Sequence, residues 1–308
     1  MNLNLGYACI NLSVGKNVTT NRGMIKKTFN QDVGLHRVSE LALENAKDIL
    51  KILVWNKNNN INFFRLSSAI IPWADSIPDI TKLKDFTEIS AALKRAGDYA
   101  LKNNIRITSH PGPFVVLPSP TESVVINSLH DLEIHGTIFD MMGLSQTPYN
   151  KINIHCNGVY GDKQLAMDRF CDNFGRLSLS VRNRLTIEND DKASMYSVND
   201  LMYIHDKIGI PIVFDYHHYK FCNGDLSEKK SLELAISTWP TGITPVVHYS
   251  ESKALHENDT SIKQQAHSDY INELPNTYGN VVDIMLEVKM KELALLKIRN
   301  TINNEKII

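Results

Sequence analysis

Short apolar runs rich in β-branched residues alternate with longer amphipathic segments along the whole 308-residue chain. Between most of the runs lie segments such as LHRVSELALENAKDILKILVWN and DFTEISAALKRAGDYALKNN, whose apolar residues recur near the helical period. Eight runs have the pattern of strands: NLNLGYA, INFFRLSS, IRITSH, KINIHCN, RLTIEND, IPIVFDYHH, TPVVHYSES and VVDIMLEV. This alternation is the strongest constraint on the fold, because strands joined by helices form parallel sheets.

Two architectures share this alternation, the (β/α)₈ barrel or TIM barrel and the doubly wound open sheet. No GxGxxG motif follows the first strand, so the usual marker of a dinucleotide-binding open sheet is missing. Although 308 residues are enough for two ordinary domains, the chain shows no break in composition and no low-complexity linker. The sequence therefore predicts an α/β fold, a single (β/α)₈ TIM barrel, with residues 1–308 as one domain.

The charge balance limits how the chain can bind nucleic acid. With 33 Lys and Arg against 34 Asp and Glu, the net charge is −1. Any phosphate-binding surface must therefore be a local patch. The segment GKNVTTNRGMIKK is one candidate, since Lys16, Arg22, Lys26 and Lys27 lie among turn-forming residues. A solvated basic loop accounts for the same residues equally well.

Cysteine usage and hydropathy favour an intracellular protein. The four cysteines form no CxxC pair, which argues against a disulfide framework or a zinc ribbon. No stretch approaches the roughly 18 apolar residues of a membrane span, and MNLNLGYACINLSVG lacks the apolar region of a signal peptide. We expect an intracellular chain without a membrane partner, and a monomer as the simplest state.

The predicted strands end in an unusual set of side chains. A lone histidine or carboxylate at a strand end is usually structural. In a barrel, however, all the carboxyl ends meet on one face, where crowded carboxylates repel each other and lose hydration. A cluster of divalent cations would explain the whole set. Strands three to eight end in His110, His155, Glu188, Asp215 with His218, His248 and Glu287.

The ligand types narrow the choice of metal and chemistry. Mixed histidine and carboxylate ligands suit Zn²⁺, Mn²⁺ or Fe²⁺. Seven ligands exceed what one ion needs, so two or three ions fit better, with Glu188 and Glu287 able to bridge. Such clusters hydrolyse phosphate esters, and they also polarise the carbonyl and hydroxyl of sugars in isomerases. The spacing leaves both chemistries open.

An ordered set of segments resembles the UV damage endonucleases, relatives of the endonuclease IV type of AP endonuclease and of xylose-isomerase-like barrels. These are LGYACINLS, FRLSSAIIP, HPGPF, IHCNGVYGDK, RLTIENDD, GIPIVFDYHH, VVHYSES, HSDYI and DIMLEVKMKE. The resemblance implies a metal-dependent DNA repair endonuclease that nicks damaged duplex DNA immediately 5′ of cyclobutane pyrimidine dimers and 6-4 photoproducts. It also implies two or three divalent ions, Mn²⁺ in the best-known members.

The resemblance assigns roles to the strand-end residues. Glu188, Asp215 and Glu287 would be the catalytic carboxylates, with Glu188 bridging two ions whose shared hydroxide attacks the phosphodiester. The first ion would be held by His110, His155, Glu188 and Glu287. The second would be held by Glu188, Asp215, His248 and Glu287. A third site would use His218 and His267.

The resemblance also implies DNA contacts. Tyr7 and Asn11 match a pair that wedges into the space left when the damaged dinucleotide leaves the stack. Phe114 offers a stacking face, and Lys163 a phosphate contact. Without the family, Tyr7 has the pattern of a core residue and Lys163 that of a surface lysine at a helix start.

The sequence departs from the family pattern at three places. Asp75 lies in the segment where a further metal-binding histidine is usual, and it offers a carboxylate instead. Pro113 replaces a glutamine, so a donor for the intact strand is lost. Val246 stands where the family can carry a lysine, carboxylated in some members. Occupancy of the third site and substrate range are open on these grounds.

His217 is adjacent to His218, and on a strand the two would point to opposite sides. We therefore predict a hydrogen-bonded structural role for His217 rather than a place in the cluster.

Three other functions share parts of this pattern. An AP endonuclease would have the same metal core and would differ only at Tyr7, Asn11 and the probing loops. A sugar isomerase or epimerase would need a closed polar pocket over the metals. A DNA-binding descendant without activity is disfavoured by seven intact metal-type residues.

Overall fold

The computed structural model describes residues 4–305, and its eight parallel strands close into a barrel in chain order. Strand β1 pairs with both β2 and β8, which closes the sheet. The predicted (β/α)₈ fold is confirmed, and the open sheet is excluded; Asn2 and Leu3 of the first predicted strand lie outside the described residues. The strands are β1 (Asn4–Cys9), β2 (Phe63–Leu66), β3 (Arg106–Ser109), β4 (Ile152–His155), β5 (Leu185–Glu188), β6 (Ile212–Asp215), β7 (Val246–Tyr249) and β8 (Asp283–Leu286).

Helices surround the barrel, and the two helical segments quoted from the sequence coincide with α2 (Gly34–Asn58) and α3 (Phe86–Lys102). The connection from β7 to β8 differs from the predicted strand–helix unit, since α10 is the helix described there and has five residues. No helix described within residues 4–305 has the length and apolar character needed to cross a bilayer. The helices are α1 (Lys26–Phe29), α2 (Gly34–Asn58), α3 (Phe86–Lys102), α4 (Glu122–Met141), α5 (Lys163–Phe174), α6 (Leu179–Arg182), α7 (Val198–Ile208), α8 (Tyr216–Tyr219), α9 (Glu228–Ser237), α10 (Lys253–Glu257) and α11 (Lys291–Glu305).

An apolar layer fills the inside of the barrel and sets the direction of the residues that follow it. Because strand residues two positions apart point to the same side, the side chain two places after an inner residue also faces inward. The layer contains Ala8, Phe63, Val213, Trp239, Val246 and Met285. Two places after four of these residues come Arg65, Asp215, His248 and Glu287. Alternation thus directs polar groups into the carboxyl end.

A buried ion pair closes the amino end. Arg106, which is 1% exposed, places Nη1 at 2.7 Å from Oδ2 of Asp283. Its guanidinium also donates to the backbone oxygens of Tyr149, Pro148 and Thr244. Every nitrogen of the buried cation is therefore hydrogen-bonded.

Candidate metal centre

Two groups of imidazoles and carboxylates meet at the carboxyl end of the strands. Within each group, one potential ligand atom per residue lies within 4.8 Å of every other. The sheet register produces this convergence, because His155 pairs with Glu188 across β4 and β5, and Asp215 with His248 across β6 and β7. Glu188 belongs to both groups. The first group is His110, His155 and Glu188, and the second is Glu188, Asp215, His248 and Glu287.

Glu188 is the centre of the arrangement and is fully buried. Its Oε2 lies 3.0 Å from Nδ1 of His248, 3.3 Å from Nε2 of His110 and 4.0 Å from Nε2 of His155. Burial alone would raise the pKa of Glu188, but the surrounding imidazoles outweigh it and hold the pKa well below its usual value. The central carboxylate is therefore an anion.

Glu287 is held by a cation that the sequence analysis missed. The guanidinium of Arg65 donates to Oε1 of Glu287, which also lies 3.0 Å from Nδ1 of His248. Burial opposes ionisation of Glu287, but Arg65 and His248 outweigh it and hold its pKa well below the usual value. A charged residue two places after an inner phenylalanine, as in FFRL, was the available signal for Arg65.

Two histidines have their tautomers fixed by backbone carbonyls. Nδ1 of His110 donates to the oxygen of Pro111 at 3.0 Å, and Nδ1 of His218 donates to that of Asn189 at 3.0 Å. Since a carbonyl only accepts, the neutral rings carry the proton on Nδ1 and keep a lone pair on Nε2. Burial lowers the pKa of His110 to about 4, so this ring is neutral near pH 7. A metal-ligating histidine needs this arrangement.

His155 behaves in the opposite way. Burial disfavours its charged form, but the carboxylates of Glu188 and Asp190 outweigh burial and raise its pKa to about 10. Its Nδ1 lies 3.3 Å from Oδ1 of Asp190. Without a divalent cation, a proton on His155 therefore compensates part of the negative charge, and this proton has to leave when a cation binds.

Three buried polar atoms in the second group have no hydrogen-bond partner within the described part of the chain. An unpaired buried polar group costs about 1–3 kcal/mol and calls for an explanation. A divalent cation among these atoms would supply their missing partner, and nitrogen and carboxylate donors fit Mn²⁺, Zn²⁺ or Fe²⁺. The residues present fit a bound metal. The atoms are Oε1 of Glu188, Oδ2 of Asp215 and Nδ1 of His248.

The chain matches the model of the UV-endonuclease UvdE family over residues 3–308. The chain belongs to this family. A UV DNA damage endonuclease of Clostridium perfringens is 36% identical, in an alignment covering 97% of this chain and 71% of that protein. The crystal structure of SacUVDE has a TM-score of 0.84 at 32% identity and covers 99% of this chain and 100% of that one.

An Escherichia coli 3-keto-D-glucoside 4-epimerase has a TM-score of 0.56 at 11% identity, covering 99% of this chain and 100% of that one. At that identity the likeness shows the shared barrel alone.

His218 and His267, which the UvdE-family resemblance assigns to a third ion, lie beside the two groups but belong to neither. Nδ1 of His218 is 3.5 Å from Oε1 of Glu188, and its ring centroid is 6.2 Å from that of His267. Ser250 Oγ is 2.6 Å from Nδ1 of His267. Asp75 lies exposed in a 3₁₀ turn and also belongs to neither group within the described residues.

His217 does not lie on a strand, so the premise that it points away from His218 is wrong. Asp215 ends β6 and caps a helical turn by accepting a hydrogen bond from the amide of His218 at 2.8 Å. The ring of His217 is 5.3 Å from that of His267. Its Nε2 bonds the carbonyl of Gln265, while its Nδ1 is buried without a partner among the described residues. His217 is thus hydrogen-bonded, as predicted, but it lies among the histidines.

Tyr7 and Asn11 require a correction. Tyr7 is fully buried, and its hydroxyl donates to Asn56 at 2.6 Å and accepts from Asn11 at 2.8 Å. Asn11 is 4% exposed, and its Oδ1 accepts from the amides of Ser13 and Val14. Burial raises the pKa of Tyr7. A wedge between bases must reach the surface, so this placement contradicts the role implied by the resemblance.

The other implied DNA contacts are on the surface. Phe114 is 88% exposed in the loop after β3. Lys163 begins α5, with Nζ 3.1 Å from Asp200 and 5.6 Å from the ring centre of Tyr196. The ammonium group of Lys163 is therefore paired with the carboxylate of Asp200.

The basic loop carries less free charge than its sequence indicates. Arg22 pairs with Asp48 at 2.6 Å and with Glu44 at 3.2 Å, and it donates to the loop carbonyls of Thr19 and Asn17. Lys16, Lys26 and Lys27 are exposed. Arg22 is thus a structural cation.

A lysine just before β4 contacts His248, which lies on the non-adjacent strand β7. Val246 packs in the inner apolar layer, whereas Nζ of Lys151 on the amino side of β4 lies 3.0 Å from Nε2 of His248. Burial lowers the pKa of Lys151 well below its usual value. Lys151 precedes Asn153 and His155 by two and four places, and this inward alternation was the signal that the sequence analysis missed.

Proposed function

We propose that this protein is a metal-dependent endonuclease that nicks duplex DNA immediately 5′ of UV photoproducts, both cyclobutane pyrimidine dimers and 6-4 photoproducts. The two ligand groups that share Glu188, in a chain of the UvdE family, carry the proposal. We further propose that residues 1–308 act as one domain and as a monomer, with damaged duplex DNA as the partner.

The proposed ligands are divided between two main sites and one further site. Mn²⁺ is the proposed metal, with Zn²⁺ or Fe²⁺ as alternatives. The bound ions would supply a water-derived nucleophile near neutral pH and neutralise charge on the phosphate. The first site would use His110, His155, Glu188 and Glu287; the second Glu188, Asp215, His248 and Glu287; and the third His218 and His267.

The remaining polar residues hold these ligands in place. Asn153 donates to Oε2 of Glu188, and Thr186 donates in turn to Asn153 at 2.7 Å. Arg65 fixes the carboxylate of Glu287. Such supporting contacts orient ligands before the substrate arrives. Oδ1 of Asp190, 3.3 Å from Nδ1 of His155, orients that ring so that its Nε2 faces Glu188.

Cleavage at an abasic site is the second candidate. The burial of Tyr7 and Asn11 favours it, because those two residues, together with the probing loops, distinguish a photoproduct enzyme from an AP endonuclease in the sequence. The metal core serves both reactions equally.

The deciding assay compares UV-irradiated, abasic and undamaged duplexes of one sequence, each with Mn²⁺, Mg²⁺ or EDTA. We expect Mn²⁺-dependent nicking of the irradiated duplex, with a new end 5′ of the photoproduct. Cleavage of the abasic duplex alone would reject the photoproduct assignment. Absence of metal-dependent cleavage on all three duplexes would reject the nuclease itself.

A further inference from the structure

Two exposed aromatic side chains flank the first ligand group. Phe114 and Tyr160 are 88% and 48% exposed, more than any other aromatic residue that the structure describes. Phe114 lies four residues after His110, and Tyr160 lies five residues after His155. Both loops leave the carboxyl ends of their strands, so both rings lie at the mouth of the barrel.

The loop that carries Tyr160 has an unusual backbone. The φ angles are 56° at Asn157, 46° at Gly158, 52° at Tyr160 and 79° at Gly161. Positive φ is unfavourable for a tyrosine, and such conformations persist only where the surroundings impose them. They are concentrated at sites that hold ligands.

Gly158 allows the ring of Tyr160 to pack against the loop's own backbone. A Cβ atom at Gly158 would lie 2.3 Å from Cε2 and 2.8 Å from Cζ of Tyr160, closer than atoms can approach. The hydroxyl of Tyr196 donates to the backbone oxygen of Gly158 at 3.1 Å and so restrains the loop. The ring therefore packs against its own loop, while the residue remains 48% exposed.

One hydrogen bond joins this loop to the one that carries Phe114, and a second joins the Phe114 loop to α5. Nδ2 of Asn157 donates to the oxygen of Val115 at 3.0 Å. Nε of Arg169 donates to the oxygen of Pro118 at 2.7 Å, while its guanidinium lies 5.7 Å from the ring centre of Tyr160. The Phe114 loop is thus hydrogen-bonded to the Tyr160 loop and to α5, and a cation lies next to the tyrosine ring.

We infer that Tyr160 provides a stacking surface for an unstacked nucleobase of damaged DNA, in addition to the stacking face that the family resemblance already implies for Phe114. The inference rests on the proposed function, which puts a phosphodiester at the adjacent ligands. Aromatic faces stack on any base, and a preorganised ring loses little entropy on binding. Because the ring of Tyr160 is exposed in the loop that follows His155, it can replace stacking that the damaged strand has lost.

The test uses variants that separate the ring from the loop. Tyr160→Asn removes the ring and retains a residue that tolerates positive φ. Tyr160→Phe retains the ring and is the matched control, since the tyrosine hydroxyl makes no hydrogen bond among the described contacts. Leu179→Ala is the second control, because Leu179 is 62% exposed at the start of α6, which leads into the amino end of β5.

Two readouts are measured: nicking of a UV-irradiated duplex with Mn²⁺, and binding of that duplex in EDTA by fluorescence anisotropy. We expect Tyr160→Asn to weaken binding by on the order of tenfold and to raise KM more than it lowers kcat. We expect Tyr160→Phe and Leu179→Ala to stay within about twofold of the wild type. A 2-aminopurine beside the photoproduct should be quenched by the wild type and Tyr160→Phe, and not by Tyr160→Asn.

The outcomes separate the inference from the proposed function. Wild-type binding and quenching by Tyr160→Asn, in an enzyme that nicks irradiated DNA, would overturn the stacking surface and leave the endonuclease intact. Equal losses in Tyr160→Asn and Tyr160→Phe would also overturn it, because the ring would then be irrelevant. A wild type that nicks no duplex rejects the proposed function, and a wild type that in addition binds no irradiated duplex rejects both.

Discussion

The two ends of the barrel treat buried polar groups in opposite ways. At the amino end, every nitrogen of Arg106 is hydrogen-bonded and its charge is paired with Asp283. At the carboxyl end, atoms of Glu188, Asp215 and His248 are equally buried but have no hydrogen-bond partner among the described residues. The buried polar atoms at the two ends therefore differ in whether they are hydrogen-bonded, not in how deeply they are buried. A saturated pair stabilises the fold, whereas unsatisfied donors and acceptors can bind a cation.

Glu188→Gln tests the unsatisfied end and should have the largest effect. A carboxamide keeps the shape and can still accept from Asn153, but it loses the anion shared by both ligand groups. Nicking of UV-irradiated duplex should fall at least about 10⁴-fold, roughly 5 kcal/mol in the barrier. Circular dichroism should show an intact fold. Wild-type activity in this variant would refute the bridging assignment.

Arg106→Met tests the saturated end. Removing the cation leaves Asp283 buried without its partner, so the free energy of unfolding should fall by about 3–5 kcal/mol in urea titrations. The variant Arg106→Met with Asp283→Leu should recover most of that loss, because no unpaired charge remains. Nicking per folded molecule should stay near wild type in both. A large loss of activity at unchanged stability would contradict the division between the two ends.

Much of the carboxyl end could be predicted because it follows from strand geometry. Strand ends converge in a barrel, so His155, Glu188 and His248 could be grouped from their positions alone. Arg65 and Lys151 were missed because a single charge in a short strand resembles an outward-facing residue. Their alternation with inner apolar or polar residues contained the missing information.

The errors arose where side-chain direction depends on packing. Tyr7 occupies a family position, but its local pattern is that of a core residue, and in the fold its hydroxyl donates to Asn56 of α2. His217 was misjudged because the strand was extended past Asp215, although an aspartate before a short polar segment is a typical helix cap.

Metal removal compares the two ends within one protein. If the unpaired atoms bind a cation, Mn²⁺ at about 100 times its dissociation constant should raise the free energy of unfolding of EDTA-treated protein by about 2.7 kcal/mol. Arg106→Met should gain the same increment, because its change lies at the other end. Glu188→Gln should gain less, as measured by thermal unfolding. Equal increments in wild type and Glu188→Gln would place the ion elsewhere.

Asp48 tests whether the location of a buried carboxylate or its hydrogen bonding decides its role. Its substitution should have the smallest effect of the variants described. It lies near the loops of the carboxyl end, yet it is saturated by Lys51, by Arg22 and by the amide of Thr19. Burial favours its protonated form, but these hydrogen bonds outweigh burial and lower its pKa. If a fully hydrogen-bonded carboxylate stabilises the fold instead of binding a metal, Asp48→Asn should lower the free energy of unfolding by about 1.5 kcal/mol at pH 7. The rate of nicking should be unchanged.

The pH dependence follows from the direction of that shift. A depressed carboxyl pKa stabilises the folded state fully above the unfolded value of about 4, and this stabilisation is lost as the pH falls through the folded-state pKa. The difference between wild type and Asp48→Asn in urea unfolding should therefore be constant near neutrality and shrink below about pH 4. If the difference in unfolding free energy grew in acid, Asp48 would not be stabilised as an anion. Its hydrogen bonds would then fail to explain its role.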